Sequence, residues 1–466
     1  REENPAQPVW DWSVTSMTAP PIGRRVRGGR FPRLRSRSPT NWSAGNRPDV
    51  LWQTPAMLNP GTRSDRHVIA FLATMAALMA FGIDPILPAL DEIRSTFDLA
   101  PGDNSVTRIV SVYIFGLSFG QVVYGPLADR FGRSPVLLAG LGIYAAGAFA
   151  SMLAPSLTTL LVARALWGFG AASAGLLRFT IARDLYRGDQ MARVISIVMG
   201  FFLLGPIVAP MFGEAILAVA SWRWVFGSAL VTCAGLAVWA VRFGETLDPA
   251  NRRPLRVGPT LAAFRLVLTT RITVAYLLAT TFVYGAFFTY LASSQPIFDI
   301  VYDRADLFAL LYGASSGLMA AAFFTVNRFI YRYGAHYVAV GSLVCGVTLS
   351  ATLLLLSMAA DGQPSFWVWV IGIAVVNSFM TILVPTGTSL ALDPMGEMAG
   401  SASGILGFVS TAGGSVLSFL LNSRITDSVT PMMVGYVIFG SVALVCTLAS
   451  GAGALPQVAG PSTRSR

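Results

Sequence analysis

The sequence contains no lysine; all 33 of its basic residues are arginine. That absence excludes a Schiff-base amine and the phosphate-binding lysine of a nucleotide loop. Charge of either sign is scarce, at 12% of residues against about 25% in soluble domains. Three cysteines, Cys233, Cys345 and Cys446, each sit inside an apolar run and read as small hydrophobes rather than disulfide partners. Two histidines, His67 and His336, lie at the edges of different apolar segments and give no basis for a metal site. No nucleophile–base cluster stands out either, so nothing here points to an enzyme.

What is abundant is apolar side chain, 54% of 466 residues. A soluble fold of that size needs a polar shell that this composition cannot supply. The chain reads as an all-α membrane protein. From residue 67 onward, twelve stretches reach the roughly 20 residues needed to cross about 30 Å of hydrocarbon. They are 67–89, 106–127, 135–154, 157–181, 194–219, 223–243, 272–293, 306–327, 335–358, 365–391, 400–421 and 432–455.

A net charge of +10 would suggest a nucleic-acid partner in a soluble protein. Here the arginines fall between apolar stretches, where they set topology. With the first span entering from the cytoplasm, thirteen lie in inner loops, from Arg130 to Arg332, and only Arg94, Arg108, Arg223, Arg304 and Arg424 in outer ones. That bias predicts both termini inside. Residues 1–66, with 11 arginines and many prolines, read as a disordered cytoplasmic tail with no signal peptide. Contact with anionic lipid is the alternative role for it. Residues 456–466 form a second tail.

The longest inner loop, 244–271, divides the spans into two six-helix bundles, 67–243 and 272–455. A faint echo supports duplication: Arg130-Phe131-Gly132 follows span 2, and Arg332-Tyr333-Gly334 follows span 8.

Ionisable residues inside spans are the sharpest chemical signal, because each costs at least about 2.5–3.5 kcal/mol at mid-membrane. Asp84 lies roughly 25 Å along span 1 and Arg164 roughly 10 Å along the antiparallel span 4, so their depths are similar. Burial and a neighbouring guanidinium act in opposite senses on a carboxyl, and that competition can load and release a proton. A static ion pair, or an aspartate exposed at the interface, is the plainer reading. Arg178, near the end of span 4, reads as a snorkelling structural residue. Glu214, near the end of span 5, reads as interface-exposed, with a second proton-binding acid as the alternative.

The stretch 125–133, "GPLADRFGR", places charge in a loop too short to form a domain. Gly125 and Gly132 permit a tight turn, and Asp129 can cap a helix or pair with Arg130 or Arg133. Gly125, Leu127, Ala128, Asp129, Arg130, Gly132 and Arg133 resemble the signature loop of the major facilitator superfamily, with Ser134 departing from its usual basic position. Further stretches resemble its bicyclomycin- and chloramphenicol-resistance branch, the Bcr/CflA drug:proton antiporters. These are "GIDPILPAL" in span 1, "LLVARALWGFGAA" in span 4, "GPIVAPMFG" in span 5 and "LDPMGEMAGSASGILGF" leading into span 11. The resemblance covers residues 67–455.

It implies a multi-pass exporter of small drug-like compounds in a bacterial inner membrane, driven by the proton gradient with no bound cofactor. Its partners would be a small-molecule substrate, protons and the lipid bilayer, and the chain would act as a monomer. The resemblance assigns proton coupling to Asp84 and Arg164, and a conformational gate to Gly125, Asp129, Arg130, Gly132 and Arg133. It assigns the antiporter motif to Gly205, Pro206, Pro210 and Gly213, which also favour a bent, thin span 5. Trp167 stands where that branch has glutamine, and an indole cannot accept a hydrogen bond. A cavity between the halves would draw its lining from Tyr113, Trp167, Tyr284, Phe287, Phe288, Tyr290 and Asn377. A metabolite substrate, such as an amino acid or nucleoside moved in either direction, is the second reading. A membrane-embedded receptor or enzyme is the third.

Overall fold

The computed structural model describes residues 65–100, 104–252, 254, 257–425 and 427–451. Both expected tails lie outside them, apart from residues 65 and 66. Among the described residues, twelve helical segments are long and apolar enough to cross a membrane. Spans 1–6 are Asp65–Thr96, Ser105–Phe131, Arg133–Met152, Leu157–Leu185, Arg193–Leu217 and Trp222–Phe243. Spans 7–12 are Arg271–Val301, Ala305–Tyr333, Ala335–Ala359, Phe366–Gly396, Ala399–Asn422 and Thr430–Ala449. All twelve expected segments are there.

Spans 1, 7 and 10 each exceed 30 residues because they are not single helices. Span 1 is an α-helix to Phe81, a 3₁₀ turn over Asp84–Ala89 and a second short helix, Leu90–Thr96. Pro85 and Pro88 withhold two amides from the helical ladder, so the chain opens there and then resumes. Span 7 ends in a wide turn, Ile297–Val301. Span 10 breaks between Phe366–Met380 and Leu383–Leu392. The segment between spans 6 and 7 carries a helix of its own, Val257–Thr269.

Within the first six spans, the packed pairs are 1 with 4, 5 and 6, 2 with 4, and 3 with 4 and 6. Adding six to every number gives pairs that also pack: 7 with 10, 11 and 12, 8 with 10, and 9 with 10 and 12. The two halves meet along spans 2 and 11 and along spans 5 and 8, which the same shift exchanges. The turn glycines repeat as well, Gly132 at φ 106° and Gly334 at φ 83°. With twelve crossings, span 1 starts and span 12 finishes at one end of the molecule, here called near; the other end is far.

Small residues set how closely the backbones approach. A Cβ on Gly168 of span 4 would lie 1.9 Å from the carbonyl oxygen of Tyr113 on span 2. Backbone cannot yield as a side chain can. Gly168→Ala should therefore cost about 1–3 kcal/mol, read as lower thermal stability of the purified protein in detergent. Gly142→Ala, where a methyl meets nothing within 4 Å, should not lower it, since alanine is also the better helix former.

Candidate functional site

The break in span 1 is where chemistry collects. Asp84 begins the 3₁₀ turn and is only 3% exposed. The opening frees the carbonyl of Gly82, and Arg164 of span 4 takes it: Nη1 donates to Gly82 O at 2.8 Å and Nε to Ile109 O of span 2 at 3.2 Å. The guanidinium is fully buried and lies over the rings of Tyr113 at 4.4 Å, Trp167 at 4.7 Å and Phe226 at 5.8 Å. Cation–π attraction is strongest where water is excluded, so the cage suits a cation that meets no carboxylate.

The expected pairing of Asp84 with Arg164 is therefore corrected. Both lie at the break, as their depths implied, but no ion pair joins them among the described residues. Arg164 braces the backbone two residues before the acid. The partner of Asp84 comes from the opposite half: Tyr312 of span 8 donates its hydroxyl to Oδ1 at 3.2 Å. Tyr290 of span 7 stacks on Tyr312 at 5.8 Å, 14° from parallel.

Span 5 presses its antiporter-motif glycines against this same region. A Cβ on Gly205 would meet Ala80 Cβ at 2.5 Å, and one on Gly213 would meet the Pro85 carbonyl oxygen at 2.1 Å. Helix Gly188–Leu217 continues through Pro206 and Pro210. Glu214 is half-buried, beside Ala309 at the start of span 8, rather than simply exposed at an interface.

At the near end the loop residues form a clasp. Arg133 holds Asp129 with Nη1 at 2.6 Å and Asp184, at the end of span 4, with Nε at 2.8 Å. Glu245, just past span 6, accepts the amides of Arg133 at 2.9 Å and Ser134 at 3.2 Å, capping span 3, and those of Thr246 and Leu247 besides. Helix N-termini favour such an anion. The cap expected of Asp129 thus falls to Glu245. Arg130 is exposed, over Phe131, and outside the clasp, and Gly125 lies mid-helix in ordinary contact. All the partners belong to the first bundle or, for Glu245, lie two residues past it, so the expected gate is, in this structure, a brace with no partner from the second half among the described residues.

A model of the Major Facilitator Superfamily matches residues 69–419. The chain belongs to the major facilitator superfamily. Its relatives include the bicyclomycin resistance protein homologue of Haemophilus influenzae, 28% identical over 78% of this chain and 91% of that one. Multidrug resistance protein D of Escherichia coli is 25% identical over 76% and 88%. Among solved structures, the D-xylose–proton symporter shares the fold at TM-score 0.67, with 14% identity over 83% of this chain and 97% of that one. The branch resemblance read from the sequence agrees with these relatives.

Within this superfamily fold, the remaining candidates separate by what they touch. Tyr113 and Trp167 are committed to the Arg164 cage. Tyr284 stacks on Phe288 at 5.1 Å, and Phe287 leans on the same ring at 5.9 Å. Asn377 of span 10 accepts from Tyr436 of span 12 at 2.8 Å while its Nδ2 is unpartnered. Sequence reading missed a polar seam toward the far end. Ser293 donates to Asn422 at 2.8 Å, Asn422 to Ser418 at 3.1 Å, and Ser415 to the Ser111 carbonyl at 2.9 Å. Ser111 belongs to span 2 and the others to spans 7 and 11, so the seam joins the halves. Hydroxyls spread through apolar helices give no sequence signal. Asp184 and Glu245 were equally silent, each needing tertiary contact to find its partners.

Gly132 sits at positive φ, and a Cβ there would meet Glu245 Oε2 at 2.3 Å. Gly132→Ala and Glu245→Ala should each destabilise by about 1–3 kcal/mol. Combined, they should cost less than their sum, because the second change removes what the first collides with. Unfolding midpoints of the single and double variants would show this.

Proposed function

We propose that this protein is a proton-coupled antiporter, exporting small drug-like organic compounds by alternating access. The near end would face the cytoplasm of a bacterial cell, and the protein would work as a monomer in the inner membrane. One observation carries the reading: a carboxyl buried at a helix break, with its hydrogen bond donated from the opposite half. A proton arriving at Asp84 changes that bond and the packing of spans 1 and 8 at once. Rearranging the halves, in turn, moves Tyr312 away and changes how firmly the acid holds its proton. Each event biases the other, which is what coupling requires.

The arginine bias toward near-end loops supports the orientation. The printed names of the relatives, bicyclomycin resistance and multidrug resistance, support the substrate class. The driving force is adequate, since one charge crossing 100 mV releases about 2.3 kcal/mol, enough for a roughly fiftyfold gradient. Arg164 serves as the positioning residue for the break, and the clasp of Asp129, Arg133, Asp184 and Glu245 lets spans 2, 3, 4 and 6 move as one body.

Asp84→Asn should abolish export driven by a proton gradient in reconstituted vesicles while preserving exchange of compound for compound. Proton release when a transported compound is added to the purified protein should vanish in the same variant. Gradient-driven export persisting in Asp84→Asn would overturn the assignment.

A further inference from the structure

Span 4 carries two buried arginines, and only one is accounted for. Arg164 lies about 10 Å in from the far end, and Arg178 about 10 Å in from the near end. Arg164 spends Nε and Nη1 on two carbonyls and leaves only Nη2 unpartnered. Arg178 is just as sequestered, at 5% exposure, yet its Nε and Nη1 have no hydrogen-bond partner. Among the described residues no carboxylate lies within 4 Å of it. The expectation that it snorkels to the surface is wrong.

Its surroundings are aromatic and intimate. The guanidinium lies over Phe202 of span 5 at 5.1 Å and over its neighbour Phe179 at 4.7 Å. One turn earlier, Gly175 abuts Met79 of span 1, which places Arg178 at the seam of spans 1, 4 and 5. A desolvated cation with idle donors is costly unless something completes it. Nothing in the described chain does so. A guanidinium presents paired donors that match a carboxylate or sulfonate in its own plane, and a phenyl face beside it suits a ring attached to that anion.

We propose that Arg178 is a binding residue for the acidic group of aromatic organic anions, with Phe202 against the ring. The proposal rests on the transport reading above and narrows its substrate class. It goes beyond Asp84 and Arg164, which serve the proton and the fold.

The test uses a matched pair of probes, 2-naphthoate and the neutral 2-naphthamide, with equilibrium binding to the full-length protein in uncharged detergent. Naphthoate should bind the wild type, weaken about ten- to a hundredfold in Arg178→Gln and recover in part in Arg178→Lys. Naphthamide affinity should be unchanged throughout. Equal naphthoate affinity in Arg178→Gln overturns the proposal, as does a parallel loss for both probes in a variant that keeps its unfolding midpoint. If Arg178→Gln fails to fold, the Arg178→Lys comparison decides alone: unchanged naphthoate affinity there overturns the proposal, and a selective loss supports it. Competition by added phosphatidylglycerol in the wild type, absent in Arg178→Gln, would make a lipid headgroup the resident anion and also overturn it. Gradient-driven export is measured separately in vesicles. Selective naphthoate binding without export would sink the antiporter reading and leave the binding site standing.

Discussion

Hydrocarbon offers no hydrogen bonds, and the site follows from that constraint. A span that opens inside the membrane exposes carbonyls that the protein itself must satisfy. At Gly82 the partner is Arg164, reaching across from span 4. Without that guanidinium, the break before Pro85 would leave a bare carbonyl in a dry interior. With it, the chain can turn and carry Asp84 inward. The arginine is thus less a countercharge than a buttress, and its aromatic cage takes the place of the anion it does not have.

The same constraint separates what the sequence made legible from what it hid. Length and hydropathy reveal spans because twenty apolar residues have few other uses in so greasy a chain. Asp84, Arg164 and the loop arginines stand out because charge is expensive where they lie. Partners are another matter. Depth along a helix can be read from residue number, but rotation about its axis depends on every neighbour. Asp84 and Arg164 were therefore rightly placed at one level and wrongly joined. Tyr312 was one tyrosine among 13, with nothing to mark it until span 8 was seen to lie against span 1. Arg178 was misread for the related reason that nearness to a helix end says nothing about which way a side chain faces.

Repetition carries further than the faint Arg-aromatic-Gly echo suggested. Each pair of packed spans in the first half has its counterpart in the second, yet the chemistry is not duplicated. Gly334 repeats the left-handed turn of Gly132, but the ionic clasp around Arg133 and the acid at the break belong to the first half alone. The second half answers with uncharged groups, the stacked Tyr290 and Tyr312 and the serines of span 11. A common scaffold has been kept while, among the described residues, ion pairs internal to one half occur only in the first.

Spans 1 and 5 meet at Gly213, against the Pro85 carbonyl, and at Gly205, with only the Ala80 methyl between them, and Ile207 of span 5 lies in turn against Gly313 of span 8. Two rods packed this closely cannot slide past one another without first separating. A displacement at the proline-broken segment must therefore pass undamped into the neighbouring rod and onward to the other lobe. The glycines act as a gear mesh, and their smallness fixes the play in it.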